Sequence, residues 1–196
     1  MLTDVLPVNL VVAGVGGQGN VLVSQLLGRM MQRAGLSVTI GETYGASQRG
    51  GSVMSHVRLS RSGQVAPLIP EGKAHLIVGL EPSETLRVLG PYGHPDVLVL
   101  SNTRAVQAPG YPPLDTILGH IRDLSQRSWT IDATDLALGL GDAILANMIM
   151  LGALSTLALL PFDREAFSAV AREVLPHASA QDNLRAFDLG ARSVQP

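Results

Sequence analysis

One short stretch near the N-terminus, Ala13-Gly14-Val15-Gly16-Gly17-Gln18-Gly19, limits what this chain can fold into more than any other. Ahead of it, residues 8–13 are apolar and β-branched, the pattern of a parallel strand buried on both faces. Behind it, Leu22, Val23, Leu26, Leu27, Met30 and Met31 recur at three- and four-residue spacing, and Gly35 stands where a helix would be capped. A buried strand must therefore turn through glycines straight into a helix. Leu36, Val38 and Ile40 then alternate with polar residues as a second strand ending near Glu42, so the opening reads as a βαβ unit.

The turn satisfies the pattern G-x-G-x-x-G between strand and helix, with the acidic Glu42 at the end of the second strand. Glycines allow the backbone to approach a pyrophosphate, whose charge the helix N-terminus favours, and Glu42 is a candidate for ribose hydroxyls. The same glycines serve any close approach of backbone to backbone. The motif alone leaves open a free-standing NAD(P)-binding oxidoreductase and a non-catalytic phosphate-binding module.

The remainder continues the α/β alternation. Val53, Val57 and Leu59 alternate with polar neighbours as a strand that the residues Ser60-Arg61-Ser62-Gly63 turn back as a short hairpin. Residues 75–80 and 97–100 are buried-strand runs flanking a helix over 82–89 with Pro82 in its first turn. After a breaker-rich loop, residues 114–124 read as a helix and 129–131 as the last strand. The C-terminal part is helical: 143–160, then 163–175 capped by Asp163, then a turn around 183–189. A single α/β domain over residues 1–196 with a mostly parallel sheet is the expected architecture.

Composition narrows the function. Of the 196 residues 46% are hydrophobic and 15% charged, enough for a core and too few charges for an isolated surface, so burial against other chains is expected. A net charge of -2 without a Lys/Arg run excludes a duplex-binding face. With zero cysteines the chain can hold neither a disulfide nor a thiolate-ligated iron–sulfur cluster, so any electron relay sits on a partner. Residues 1–14 lack a basic region ahead of the apolar run, and a cytoplasmic location without a signal peptide is expected. Residues 143–160 are uncharged and long enough to be weighed as a membrane span, but Asn147, Ser155 and Thr156 dilute them and Gly152 and Ala153 suit tight packing, which favours a buried helix.

A second glycine-rich element, Tyr44 to Val53, reads as an exposed loop crossing the carboxyl edge of the sheet beside the first. A dehydrogenase site has no use for it. Together, AGVGGQG at 13–19 and SQRGGSVMSHVR at 47–58 resemble the gamma subunit or domain family of the 2-oxoacid:ferredoxin (acceptor) oxidoreductases, and within it the beta-subunit branch of the indolepyruvate enzymes. The resemblance runs on through EPSETLR at 81–87, Asn102-Thr103, Tyr111-Pro112, NMIMLGAL at 147–154 and NLRAFDLG at 183–190. It departs at Asn20, where an aliphatic residue is usual, and in a short loop over 103–111.

What the resemblance implies is a Rossmann-like three-layer fold and an enzyme that decarboxylates a 2-oxoacid on thiamine diphosphate, passes electrons through iron–sulfur clusters to ferredoxin and releases an acyl-coenzyme A. Thiamine diphosphate, Mg and the clusters would sit on a large partner subunit. The isolated chain is expected to be inactive, and a homodimer is the assembly weighed for it when isolated. The residues placed to contact coenzyme A or the partner are Gly14, Gly16, Gly17, Gln18 and Gly19 of the first loop and Ser47, Gln48, Arg49, Gly50 and Gly51 of the second.

Other polar residues have simpler roles. The histidines at 56, 75, 94, 120 and 177 lack metal-ligand spacing. His56 and Arg58 share a strand face next to the second loop, which suits an anion or a partner carboxylate or, on the favoured reading, is a solvated polar surface. Asp132 and Asp135 follow the last strand, and Asp135 reads as a helix cap. Ser47 lacks a nucleophile elbow, which argues against hydrolase chemistry. Asn147, if buried, needs a hydrogen-bond partner and would pin a loop or interface.

Overall fold

The computed structural model describes residues 1–4, 6–45, 50–105, 110–176 and 180–195. Six strands build one sheet: β1 (Val8–Val15), β2 (Ser37–Tyr44), β3 (Ser52–Ser60), β4 (Leu76–Gly79), β5 (Leu98–Asn102) and β6 (Arg127–Ile131). Their order is β2-β3-β1-β4-β5-β6. β1, β4, β5 and β6 pair in parallel, whereas β3 runs antiparallel to both β1 and β2. The helices are α1 (Asn20–Arg33), α2 (Pro82–Tyr92), α3 (Leu114–Asp123), α4 (Ala133–Gly139), α5 (Ala146–Thr156), α6 (Arg164–Val174) and α7 (Ala180–Arg192), with 3-10 turns at Leu2–Asp4 and Ala143–Leu145.

The sheet is sandwiched because β1 alternates between two cores. Val8, Leu10 and Val12 join α1, α5, α6 and α7 in the larger core, while Val11 and Ala13 join Val88, Leu89, Ile117 and Ile121 of α2 and α3 on the other side. Doubly buried apolar strands of this kind belong inside a three-layer fold.

Several expectations change. β2 is not the neighbour of β1, because β3 lies between them. Its middle residues, Met54 to Val57, are buried, whereas β2 is half-buried or exposed throughout, so the more apolar strand takes the inner place. The hairpin is therefore β2–β3, closed by residues 45–51, and the expected turn at Ser60–Gly63 leads into no strand. Residues 61–75 instead cross that face of the hairpin: Pro67 sits 3.0 Å from where a Cβ on Gly41 would be, and Arg58 donates to the Ala66 and Leu68 carbonyls at 2.8 and 3.2 Å.

Under this cover His56 is 1% exposed, so the face expected to be solvated is buried. The stretch 143–160 breaks into the 3-10 turn and α5, and among the described residues no helix is long and apolar enough to cross a membrane. The helix foreseen behind Asp135 is α4, Ala133–Gly139, which starts earlier than expected. It begins after Asp132, and Asp135 lies inside its first turn, paired with Arg104 at 2.9 Å rather than capping.

Candidate functional site at the carboxyl edge of the sheet

β1 ends at the carboxyl edge of the sheet, and its last residues fold back on themselves. Gln18 Oε1 accepts from the Val15 N–H at 2.8 Å, and the Gln18 N–H donates to the Val15 carbonyl at 3.1 Å. Gly14 must lack a side chain, since a Cβ there would meet Gln18 Oε1 at 2.7 Å and Asn20 Oδ1 at 2.8 Å. Gly17 and Gly19 have φ of 102° and 83°, a region that L side chains rarely enter.

Gly50 and Gly51, just ahead of β3, meet this turn. The Gly16 N–H donates to the Gly51 carbonyl at 2.8 Å, and Gly45 donates to Ser52 at 2.7 Å, closing the neck of the loop. Asn20 reaches the same place from α1, giving its Nδ2 to the Val53 carbonyl at 2.8 Å. An aliphatic residue at position 20 could not make that tie, which accounts for the departure noted in the sequence.

Gly19 caps α1 without a side-chain hydrogen bond, so the positive end of the helix faces outward uncapped. In front of it lies a cavity of about 290 Å³ lined by Gly17, Gln18, Leu80, Asn102, Asn147 and Met150, among others. Asn102 is held by donating to the Leu80 carbonyl at 3.0 Å and to Thr134 Oγ1 at 2.8 Å, which ties β5 to the start of α4. Asn147 is 3% exposed and lies against Gly19, and its side chain has no hydrogen bond among the described residues. It packs on the turn and lines the cavity.

On the opposite side of the sheet, α2 brings two buried carboxylates to the same edge. Glu81 Oε2 accepts from the Glu84 N–H at 2.7 Å, and Glu84 Oε2 accepts from Ser52 Oγ at 2.6 Å and Arg87 Nε at 2.8 Å.

Residues 9–193 match the family described as pyruvate ferredoxin/flavodoxin oxidoreductase. The chain belongs to this family. Among its relatives, the indolepyruvate oxidoreductase subunit IorB of Archaeoglobus fulgidus is 38% identical, with 93% of this chain and 92% of that protein covered. IorB of Thermococcus kodakarensis is 35% identical, with 95% and 96% covered. The fold is shared with pyruvate oxidoreductase subunit PORC of Thermotoga maritima at a TM-score of 0.71, 23% identity and coverage of 96% and 97%. It is shared too with a 2-oxoglutarate:ferredoxin oxidoreductase of Magnetococcus marinus, whose structure holds 2-oxoglutarate, coenzyme A and succinyl-CoA, at a TM-score of 0.74 and 21% identity, spanning 94% of this chain and 30% of that one.

In this oxidoreductase family member, Gly14, Gly16, Gly17, Gln18 and Gly19 form one turn, and Gly50 and Gly51 meet it. Ser47, Gln48 and Arg49 lie outside the described residues. Gln18 spends its carbonyl on Val15, and Gly16 has room for a Cβ at 3.6 Å from Gly51, so these two have structural parts to play beyond any ligand. Sequence reasoning missed Ser52, Glu84, Arg87, Asn102 and Thr134. The signal present was Glu81-Pro82-Ser83-Glu84, a helix start whose carboxylates are more numerous than a cap needs. No group of three His, Asp or Glu among the described residues is placed to hold a metal.

Proposed function

We propose that this chain is the small, cluster-free subunit of a thiamine-diphosphate-dependent 2-oxoacid:ferredoxin oxidoreductase of the indolepyruvate type, acting in the cytoplasm as one domain over residues 1–196. The observation that carries this reading is the near-complete alignment with subunits named IorB, at 38% identity in one case, in a chain with zero cysteines. The partner's thiamine diphosphate and clusters would supply decarboxylation and electron transfer, turning a 2-oxoacid and coenzyme A into acyl-coenzyme A, carbon dioxide, a proton and two electrons for ferredoxin.

This chain's own contribution is a cradle for an anion. The uncapped N-terminus of α1 presents backbone N–H groups, Gly50 and Gly51 meet the glycine turn beside it, and Arg49 adds a positive charge in the sequence between β2 and β3. A phosphate of coenzyme A fits that chemistry best, and a carboxylate of the large subunit is the other acceptor that would.

A free-standing NAD(P) enzyme is disfavoured by strand order. With β3 between β1 and β2, Glu42 ends two strands from the glycine turn, about 10 Å away at ordinary strand spacing, and its carboxylate takes a hydrogen bond from Tyr44.

Co-expression with a thiamine-binding partner tests the proposal. The two chains are expected to co-purify in fixed ratio, and coenzyme A-dependent ferredoxin reduction by indolepyruvate requires both. Arg49→Ala is expected to leave the melting temperature of the small subunit unchanged. It should weaken either coenzyme A or partner affinity by about thirtyfold, the equivalent of about 2 kcal/mol. Failure to associate with any thiamine enzyme at low salt would reject the assignment.

A further inference from the structure

From Ser128 to Asp163 the sequence holds four Asp and no Lys, Arg or His, and one part of that stretch is turned outward. In α4, Ala133 and Ala137 are buried at four-residue spacing, whereas Asp135 and Leu138 stand exposed at three. The chain then reverses at once. Gly141, at a φ of 103°, donates its N–H to the Leu138 carbonyl at 3.0 Å, and the Asp142 N–H donates to the Ala137 carbonyl at 3.3 Å. Asp142 in turn accepts the Ile144 N–H at 2.9 Å, which sets the 3-10 turn beside the end of α4. The result is a ledge with two large apolar side chains, Leu138 at 52% and Ile144 at 44% exposed, among the exposed carboxylates of Asp132, Asp135 and Asp142.

The ledge forms part of the rim of the candidate site, because Ala143 and Ile144 also line the cavity in front of α1. Its charge is one-sided. Arg104 pairs with Asp135 at 2.9 Å, while Asp132 and Asp142 have no ion pair among the described residues. Aliphatic side chains gain by leaving water, and the carboxylates around them favour a partner that brings positive charge and penalise one that brings negative. A second copy of this chain, meeting the ledge by two-fold symmetry, would set acid against acid. We propose that the large subunit docks on this ledge, with a basic and aliphatic segment laid over Leu138 and Ile144. This rests on the reading that the chain works beside such a subunit. Docked there, the partner covers the mouth of the cavity and encloses whatever the N-terminus of α1 holds.

The test measures the affinity of this chain for the large subunit over a range of salt, with the melting temperature of each variant as the check on folding. Leu138→Arg, at a side chain outside the cavity, is expected to weaken binding about tenfold. Asp142→Asn keeps the oxygen that accepts the Ile144 N–H and removes the charge. It is expected to weaken binding about threefold and to make the loss of affinity with rising salt shallower. Leu124→Arg, at the far end of α3, is expected to leave affinity unchanged, and an equal loss there would overturn the proposal as non-specific. Should Leu138→Arg lower the melting temperature, Asp142→Asn carries the decision. Tight wild-type binding that neither ledge variant disturbs places the partner elsewhere; the docking surface is then wrong and the subunit reading stands. Absence of wild-type association with any thiamine enzyme removes that reading and the docking surface with it. If Leu138→Arg instead splits a dimer of the isolated chain and spares the heteromer, the ledge belongs to a second copy and the proposal is likewise overturned.

Discussion

His56 and His75 are two residues whose chemistry is changed by burial. His56 Nδ1 accepts the Ile69 N–H at 3.3 Å and His75 Nδ1 accepts the Asn9 N–H at 3.0 Å, so both rings are neutral and each holds one side of residues 61–75. Burial pushes both pKa values below the ordinary 6.5, helped by Arg58 beside His56 and His94 beside His75. Protonation would turn each acceptor into a donor facing an N–H. The native state therefore binds protons less readily than the unfolded chain. The stability this contributes is complete above pH 6.5 and is lost as the pH falls from there toward the lowered native values. Melting temperature is expected to drop between neutral and mildly acid pH, with a shallower slope in His56→Gln. A flat wild-type profile over that range would count against the buried neutral rings.

Among the elements, α5 and α7 are the most closely apposed. A Cβ on Gly152 would overlap the Phe187 carbonyl and one on Gly190 the Ile149 carbonyl, so the two backbones touch where each helix has no side chain. Gly152→Ala must part the helices and is expected to cost about 1–3 kcal/mol in denaturant titration. Gly119, in α3, has nothing within 4 Å of its missing Cβ, and Gly119→Ala is expected to stabilise by about 0.5–1 kcal/mol through helix propensity alone. At this scale the sequence was legible where order is local. The apolar spacing of α1, the Asp163 cap that accepts the Ala166 N–H at 2.9 Å and the strand runs of β1, β4 and β5 all lie within a few residues of their cause. The Ser52–Glu84 bond joins residues 32 apart in the chain, and nothing in either segment names the other. His56 failed for a related reason: alternation says which residues share a face, while what covers the face is decided by a segment with no periodicity of its own.

For the whole molecule, the insertion of β3 between β1 and β2 sets this sheet apart from a dinucleotide fold. In a dinucleotide fold the second strand brings its acid next to the glycine turn; here an antiparallel strand occupies that place, paired with β1 from Val8↔Leu59 to Val15↔Ser52. Titration of the purified chain with NADH is expected to show weak or no binding. Saturation in the low micromolar range would restore the dehydrogenase reading. The place of β3 could not be read from sequence, because the pattern of both strands is satisfied in either order.

That same strand order carries a consequence for synthesis. β1 is made before both of its neighbours, residues 52–60 and residues 76–79. Until then an apolar strand waits with both edges open, and only the β2–β3 pair, adjacent in the chain, can form early. A nascent chain stalled before residue 52 therefore exposes a sequence suited to pairing with its own copies, which makes the speed of translation from residue 8 to residue 60 a determinant of how much folded protein is recovered.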